Sequence, residues 1–201
     1  MAAPAPMLPA MKALRILLRV VLVVLLVPLL AYAGLALAVG RDGVWETLFG
    51  PGDRRPVAFE TLVPPDRPNH HLVCPPDLCR DAVGESPVFP VAVEAQVAAW
   101  NRLLDREGAR RIAATKTATK TDVPQIDAEV RTPWLRFPDL VTIRPIALGP
   151  DRSTVAVYSR SLYGHSDLGT NAARLRSWLG AMEAELGRVA TAATTAAAGG
   201  G

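Results

Sequence analysis

Tyr163, His165, Ser166 and Asp167 bring together the side-chain types of a hydrolase within one short stretch. A serine nucleophile needs a histidine base and an oriented carboxylate that converge in space, and immediate sequence neighbours rarely achieve that geometry. No G-x-S-x-G elbow accompanies them. His165, Ser166 and Asp167 are therefore weak catalytic candidates. The same stretch has a structural reading. Gly164 and Gly169 permit positive φ. Ser166, Asp167 and Asn171 can accept backbone N–H groups at the start of a helix. A third reading has that helix N-terminus bind an anionic group with help from Arg174. Asp167 opposes it by repulsion.

A second cluster is Asn69-His70-His71-Leu72-Val73-Cys74-Pro75-Pro76-Asp77-Leu78-Cys79. Cys74 and Cys79 are the two cysteines of the chain. In an exported domain they most simply form a disulfide closing a small loop. The alternative is a metal site using both thiolates with His70 or His71. Adjacent histidines do not easily share one metal, so no metal site is assigned, and no cofactor is expected. The C-x-x-x-x-C spacing is not that of a C-x-x-C redox enzyme. Trp134, Leu135 and Phe137 lie in a proline-bounded hairpin tip between Pro133 and Pro138. They cover the domain's own core or touch a membrane or partner.

These residues must be positioned by a small α+β domain. Glu94–Arg106 with Val93, Val97, Trp100 and Leu104 reads as an amphipathic helix ended by Gly108. Ile126–Arg131 alternates with period two. Arg111–Lys120, Leu140–Ile146 and Thr154–Ser159 continue a strand pattern with one buried face, and Gly149-Pro150-Asp151 is a turn. Leu175, Trp178, Leu179, Met182 and Leu186 make one stripe of a second helix, with Thr170 or Asn171 as N-cap. The expected order is β-α-β-β-β-β-α. It is an antiparallel sheet of about four to five strands packed by two helices, with a binding space between sheet and helix.

Upstream, Val20–Val39 is free of charge and long enough to span a bilayer. Lys12, Arg15 and Arg19 precede it, so the positive-inside rule puts that end in the cytoplasm. The expected organisation is a cytoplasmic tail (1–15), a transmembrane anchor (16–39), a Pro/Gly-rich tether (40–68) with a short helix near Trp45, the domain (69–189), and a disordered Ala-rich tail (190–201). Cleavage after Ala31-Tyr32-Ala33 is the competing reading. Either way the domain is exported, and a bacterial inner membrane with a periplasmic domain is expected. The chain carries 22 basic and 19 acidic residues. The three basic residues before the apolar run account for the whole excess, so charge gives no support for nucleic-acid binding.

Gly164, Ser166, Asp167, Gly169, Asn171 and Arg174 fit the pattern G-x-S-D-x-G-x-N-x-x-R. With Asp139 and Pro68-Asn69 they make the segment 69–186 resemble the bacterial and plastid family called domain of unknown function 1499. That resemblance implies the α+β domain and a preceding membrane segment, and it brings no established activity with it. The family pattern has an Arg two residues before the first glycine. Leu162 stands there, and Arg160 could substitute from the same strand face. Arg160, Asp167, Asn171 and Arg174 are thus the candidate ligand-binding set. The leading functional expectation is a non-enzymatic binding domain for an envelope protein or an apolar small molecule. An envelope hydrolase using Tyr163–Asp167 and a purely structural envelope component are the alternatives.

Overall fold

The structure is a computed structural model that describes residues 7–76, 78–112 and 124–199. It divides into two compact units, Met1–Pro51 and Gly52–Gly201.

The first unit is helical. Helix α1 (Met7–Val39) contains Pro28. Its stretch Met11–Val39 is long and apolar enough to cross a membrane, and the most apolar part of it is not buried in protein. Branched aliphatic side chains, chiefly Leu and Val, on every face give a helix with no core-facing stripe. Gly40, at φ +79°, ends it. Helix α2 (Val44–Phe49) follows at once, where the sequence suggests a short helix near Trp45.

The second unit is α+β. Strands β1 (His70–Cys74) and β2 (Gly84–Glu85) precede helix α3 (Val93–Arg106). Then come β3 (Arg110–Arg111), β4 (Ile126–Arg131), β5 (Pro138–Gly149), β6 (Arg152–Ser161) and helix α4 (Thr170–Gly199). The described strands form one sheet in the order β2-β1-β6-β5-β4-β3. Its pairings are antiparallel except β1 with β2, which are parallel. The sheet is therefore mixed, with one strand more than expected. The addition is the two-residue β2, a signal too short for periodicity to reveal. Most of the expected strand Arg111–Lys120 lies outside the described residues.

The helix-facing side of the sheet carries Val73, Ala128, Val130, Val141, Ile143, Val155 and Val157. Trp100, Leu103 and Leu104 of α3 and Leu175, Trp178, Met182 and Leu186 of α4 pack on it. The stripes read from sequence lie on the buried faces, with Val97 and Leu179 only half-buried, and Trp100 and Trp178 meet at 6.5 Å between ring centroids. These side chains occupy the space between sheet and helices where a ligand was expected.

Two expectations about the flanks are corrected. Residues 52–68 do not form an extended tether before the domain. Val57, Phe59 and Leu62 pack on the opposite face of the sheet, where Phe59 is fully buried with Leu72, Cys74, Ala156 and Tyr158. Arg144 lies 5.2 Å over the Phe59 ring and is paired with Glu60 at 2.7 Å. Arg54 reaches Glu129 at 2.9 Å. Burial alone would raise the Glu129 carboxyl, but Arg54, Arg131 and Arg110 outweigh it and hold the group below its ordinary value. The sheet accordingly has two covered faces rather than one, and the domain begins at Gly52. At the other end α4 runs on through 190–199. Alanine has the highest helix propensity of any residue, so a low-complexity Ala tract can simply continue a helix that packing has already nucleated.

Candidate functional site

On β6 the residues Val155, Val157, Ser159 and Ser161 point toward the helices, because side chains alternate along a strand. The register sets Ser161 opposite Asp139, the second residue of β5. The first turn of α4 brings Asn171 and Arg174 onto this end of the sheet. The result is a buried polar cluster. Arg174 Nη2 donates to Asp139 Oδ2 at 2.6 Å, and Arg174 Nη1 donates to Asn171 Oδ1 at 2.6 Å and to Ser159 Oγ at 3.0 Å. Ser161 Oγ donates to Asp139 Oδ1 at 2.6 Å, and the Ser159 hydroxyl also donates to Asn171 Oδ1. Asp139, Ser159 and Asn171 are almost wholly shielded from solvent.

Asn69 ties the cluster to β1. Its side-chain amide donates to Gly164 O at 2.8 Å, and its carbonyl accepts Ser161 N at 2.9 Å and Asn171 Nδ2 at 3.2 Å. Burial pushes the Asp139 carboxyl above its ordinary value; Arg174 and Ser161 pull it down without cancelling that effect.

The loop between β6 and α4 follows the structural reading of its sequence. Gly164 and Gly169 have φ of +87° and +80°, and Leu168 is also left-handed at +53°. Asp167 Oδ1 accepts Gly169 N at 2.9 Å, and Oδ2 accepts Asn171 N at 2.8 Å and Asn171 Nδ2 at 2.7 Å. Ser166 Oγ accepts Leu168 N at 3.2 Å. Asp167 thus serves as the cap of α4, one of the residues the sequence offered for it beside Ser166, Thr170 and Asn171. Its carboxylate is spent on these amides and is not presented to His165. His165 and Ser166 are exposed, and no hydrogen bond joins His165 to Ser166 or Asp167 among the described residues. The amides at the start of α4 are capped by Asp167, and Arg174 is committed to Asp139. In the anion-binding arrangement the cation and the Gly169 and Asn171 amides are therefore already paired within the protein.

Six positions of the sequence pattern, with Asn69 and Asp139, thus meet in one place. Residues 69–182, more than half of the chain, match the family described as protein of unknown function (DUF1499). The chain belongs to the DUF1499 family. No curated protein and no solved structure matches it.

In this DUF1499 domain Arg160 does not join Arg174. It alternates with Ser159 and Ser161 and so faces the other side of the sheet, where its Nη2 donates to Asp53 O at 3.0 Å and to Arg55 O at 3.5 Å. The candidate set therefore splits: Asp167, Asn171 and Arg174 gather on one face and Arg160 lies on the other. Asp139, Ser159 and Ser161 are the members that sequence reasoning did not single out as site residues. Asp139 was visible within the family resemblance. The two serines had no signal beyond their strand parity.

Cys74 and Cys79 lie at disulfide distance, with Cα atoms 6.1 Å apart. His70 and His71 point to opposite faces of β1. The His70 ring lies tilted against Tyr158, with centroids 5.7 Å apart. The His71 imidazole is pushed below its ordinary pKa by burial first, then by Arg176 and His70. Neither histidine adds to the paired sulfurs, and no group of three metal-ligating side chains forms among the described residues.

Beside the cluster lies a cleft of about 370 Å³. The β4–β5 loop lines it with Thr132, Pro133, Trp134, Leu135 and Phe137, and the loop before α4 with Ser166, Asp167, Leu168 and Thr170. Asp139 and Ser161 line it from the sheet. Both loops carry a non-glycine residue at positive φ, Arg136 at +54° and Leu168 at +53°. Trp134 is 86% and Leu168 95% exposed. Large apolar side chains held out on constrained backbone are a pattern of contact surfaces rather than of cores.

Proposed function

We propose that this protein is a single-pass, membrane-anchored, non-catalytic binding domain that holds an apolar ligand in the cleft between the Trp134 and Leu168 loops. The observation that carries the reading is the cleft itself. It has an apolar rim and a few fixed polar groups, the usual make-up of a small-molecule site. Asp139 and Ser161 are locked by the buried cluster and provide a preset polar wall. The cluster's work is then to hold the two loops at a fixed separation. The hydrolase alternative has no support from the loop, since Asp167 caps a helix and its neighbours form no relay.

The domain works on the non-cytoplasmic side of the membrane that α1 crosses, in a bacterial envelope. Lys12, Arg15 and Arg19 on the N-terminal side support that orientation, and a Cys pair at disulfide distance suits an oxidising compartment. The partners are the bilayer through 16–39 and the cleft's ligand. No role with nucleic acid is assigned.

The test is extraction of the full chain from its membrane in polymer-bounded lipid discs, followed by mass spectrometry of the organic extract. The control is Leu168→Glu, which places a charge at the rim. Bulk lipid cancels between the two samples. A species enriched with the native chain and depleted in the variant is expected. Identical extracts overturn the ligand reading.

A further inference from the structure

Helix α2 is six residues long and largely apolar. Val44 is fully buried, while Leu48 and Phe49 are 55% and 62% exposed. The turn between the helices is tight. Gly43 N donates to Gly40 O at 3.1 Å. A Cβ on Gly43 would stand 2.6 Å from the Val39 carbonyl oxygen, so only glycine fits there. The chain thereby folds back along α1. Trp45 lies 6.2 Å from the Tyr32 ring, and Phe49 stacks on Trp45 at 6.1 Å. Tyr32 stands about 10 Å of helix before Val39, at 1.5 Å per residue, so α2 returns to that depth. Between the two helices is a cleft of about 760 Å³, lined by Pro28, Ala31, Leu35 and Ala38 of α1 and by Trp45 and Leu48 of α2.

We infer that α2 and the last two turns of α1 form a hairpin seated in the bilayer interface, with a phospholipid acyl chain occupying the cleft between them. The inference rests on the reading of α1 as a membrane span. Leu25, Leu29 and Leu30 are exposed along the same helix, and Pro28 and Leu30 also line the cleft, so apolar surface of the span forms one wall of it. Tyr and Trp prefer the headgroup level, and amphipathic elements lie about 5–10 Å into the headgroup and acyl boundary. A hairpin returning about 10 Å along the span meets both conditions. The stretch Met11–Val39 is 29 residues. At 1.5 Å per residue it is about 43 Å long, against a core of about 30 Å. The surplus leaves room for an interfacial section.

The test uses the full chain with one added cysteine, its own two being paired. Leu48→Cys and Leu25→Cys are labelled with an environment-sensitive fluorophore and reconstituted in phosphatidylcholine–phosphatidylglycerol vesicles. Lipids carry a doxyl quencher either high on the acyl chain or near its end. Quenching of the Leu48 label about twofold stronger with the high quencher is expected for an interfacial depth. The Leu25 label should prefer the deep quencher. Gly43→Leu, which breaks the turn, should release the Leu48 label and leave Leu25 unchanged. A Leu48 label that is unquenched, or quenched best by the deep group, while Leu25 reports a span overturns the hairpin and leaves the anchor standing. Loss of quenching at Leu25 as well overturns the anchor and the hairpin with it.

Discussion

Arg174→Met is expected to be one of the most damaging single changes in the domain. The guanidinium is 9% exposed and Asp139 is 2% exposed at the side chain, and their charged atoms are 2.6 Å apart. Methionine fills similar space but leaves the carboxylate with Ser161 as its one remaining partner in the cluster. Breaking a buried pair by deleting one partner costs about 3–5 kcal/mol, because an uncompensated charge stays buried. At a urea slope of about 2 kcal/mol/M, the unfolding midpoint falls by about 1.5–2.5 M.

The loss depends on pH. Burial already raises Asp139 in the native state, and removing Arg174 raises it further. A carboxyl with a raised folded pKa favours the folded state below its unfolded pKa. That advantage disappears as pH rises through the folded value. The variant should therefore lie closest to wild type in acid, where Asp139 is protonated in both states, and fall away toward neutrality. Asp139→Leu combined with Arg174→Met should recover most of the loss, since well-packed apolar groups often replace a buried pair at little cost. The assay is urea unfolding of the full chain in non-ionic detergent at several pH values, followed by tryptophan fluorescence. A pH-independent drop under about 0.5 M, near 1 kcal/mol, refutes the buried-pair reasoning.

Phe59→Ala should destabilise the domain by about 3–5 kcal/mol by opening a cavity under Leu72 and Tyr158; a midpoint shift within error shows that 52–68 is not part of the fold. The Cys74–Cys79 pair closes a six-residue loop, for which chain entropy gives about 2 kcal/mol. Unfolded, unreduced protein should show no free thiol, and reduction should lower the midpoint by about 1 M urea; two free thiols contradict the bridge. Asp167→Ala removes the acceptor of Gly169 N and Asn171 N. It should cost about 1–2 kcal/mol as a lost helix cap, whereas an unchanged midpoint excludes the capping role. Ser166→Ala should leave any ester, amide or phosphoester turnover of the preparation unchanged, and abolition of a real signal restores the hydrolase.

The fold class was legible because its signals are local. Ile126, Ala128 and Val130 alternate on one strand, and Trp178, Met182 and Leu186 repeat on one helix, and the two patterns specify which faces must meet. The strap over the second face was not legible. Residues 52–68 bury chiefly Val57, Phe59 and Leu62, too few for a periodic signal, and the prolines around them read as loop. The site was half legible. The pattern Gly164 to Arg174 located the loop and named the cap residue among its candidates. Strand parity then decided what the pattern could not. Arg160 is one residue from both Ser159 and Ser161, and that single step puts it on the opposite face. The serines joined the cluster because their neighbours across the sheet are Val141 and Asp139, a relation no local window contains.

The most direct test of the central claim is photo-crosslinking from the cleft. A benzophenone amino acid replaces Leu168 in the full chain, in living cells, with the half-exposed Leu148 as the control position. A discrete small-molecule adduct at position 168, absent at 148 and suppressed by Trp134→Ala, is expected if the cleft holds an apolar ligand. The same adducts at both positions, or none at 168, contradict a binding function for this site.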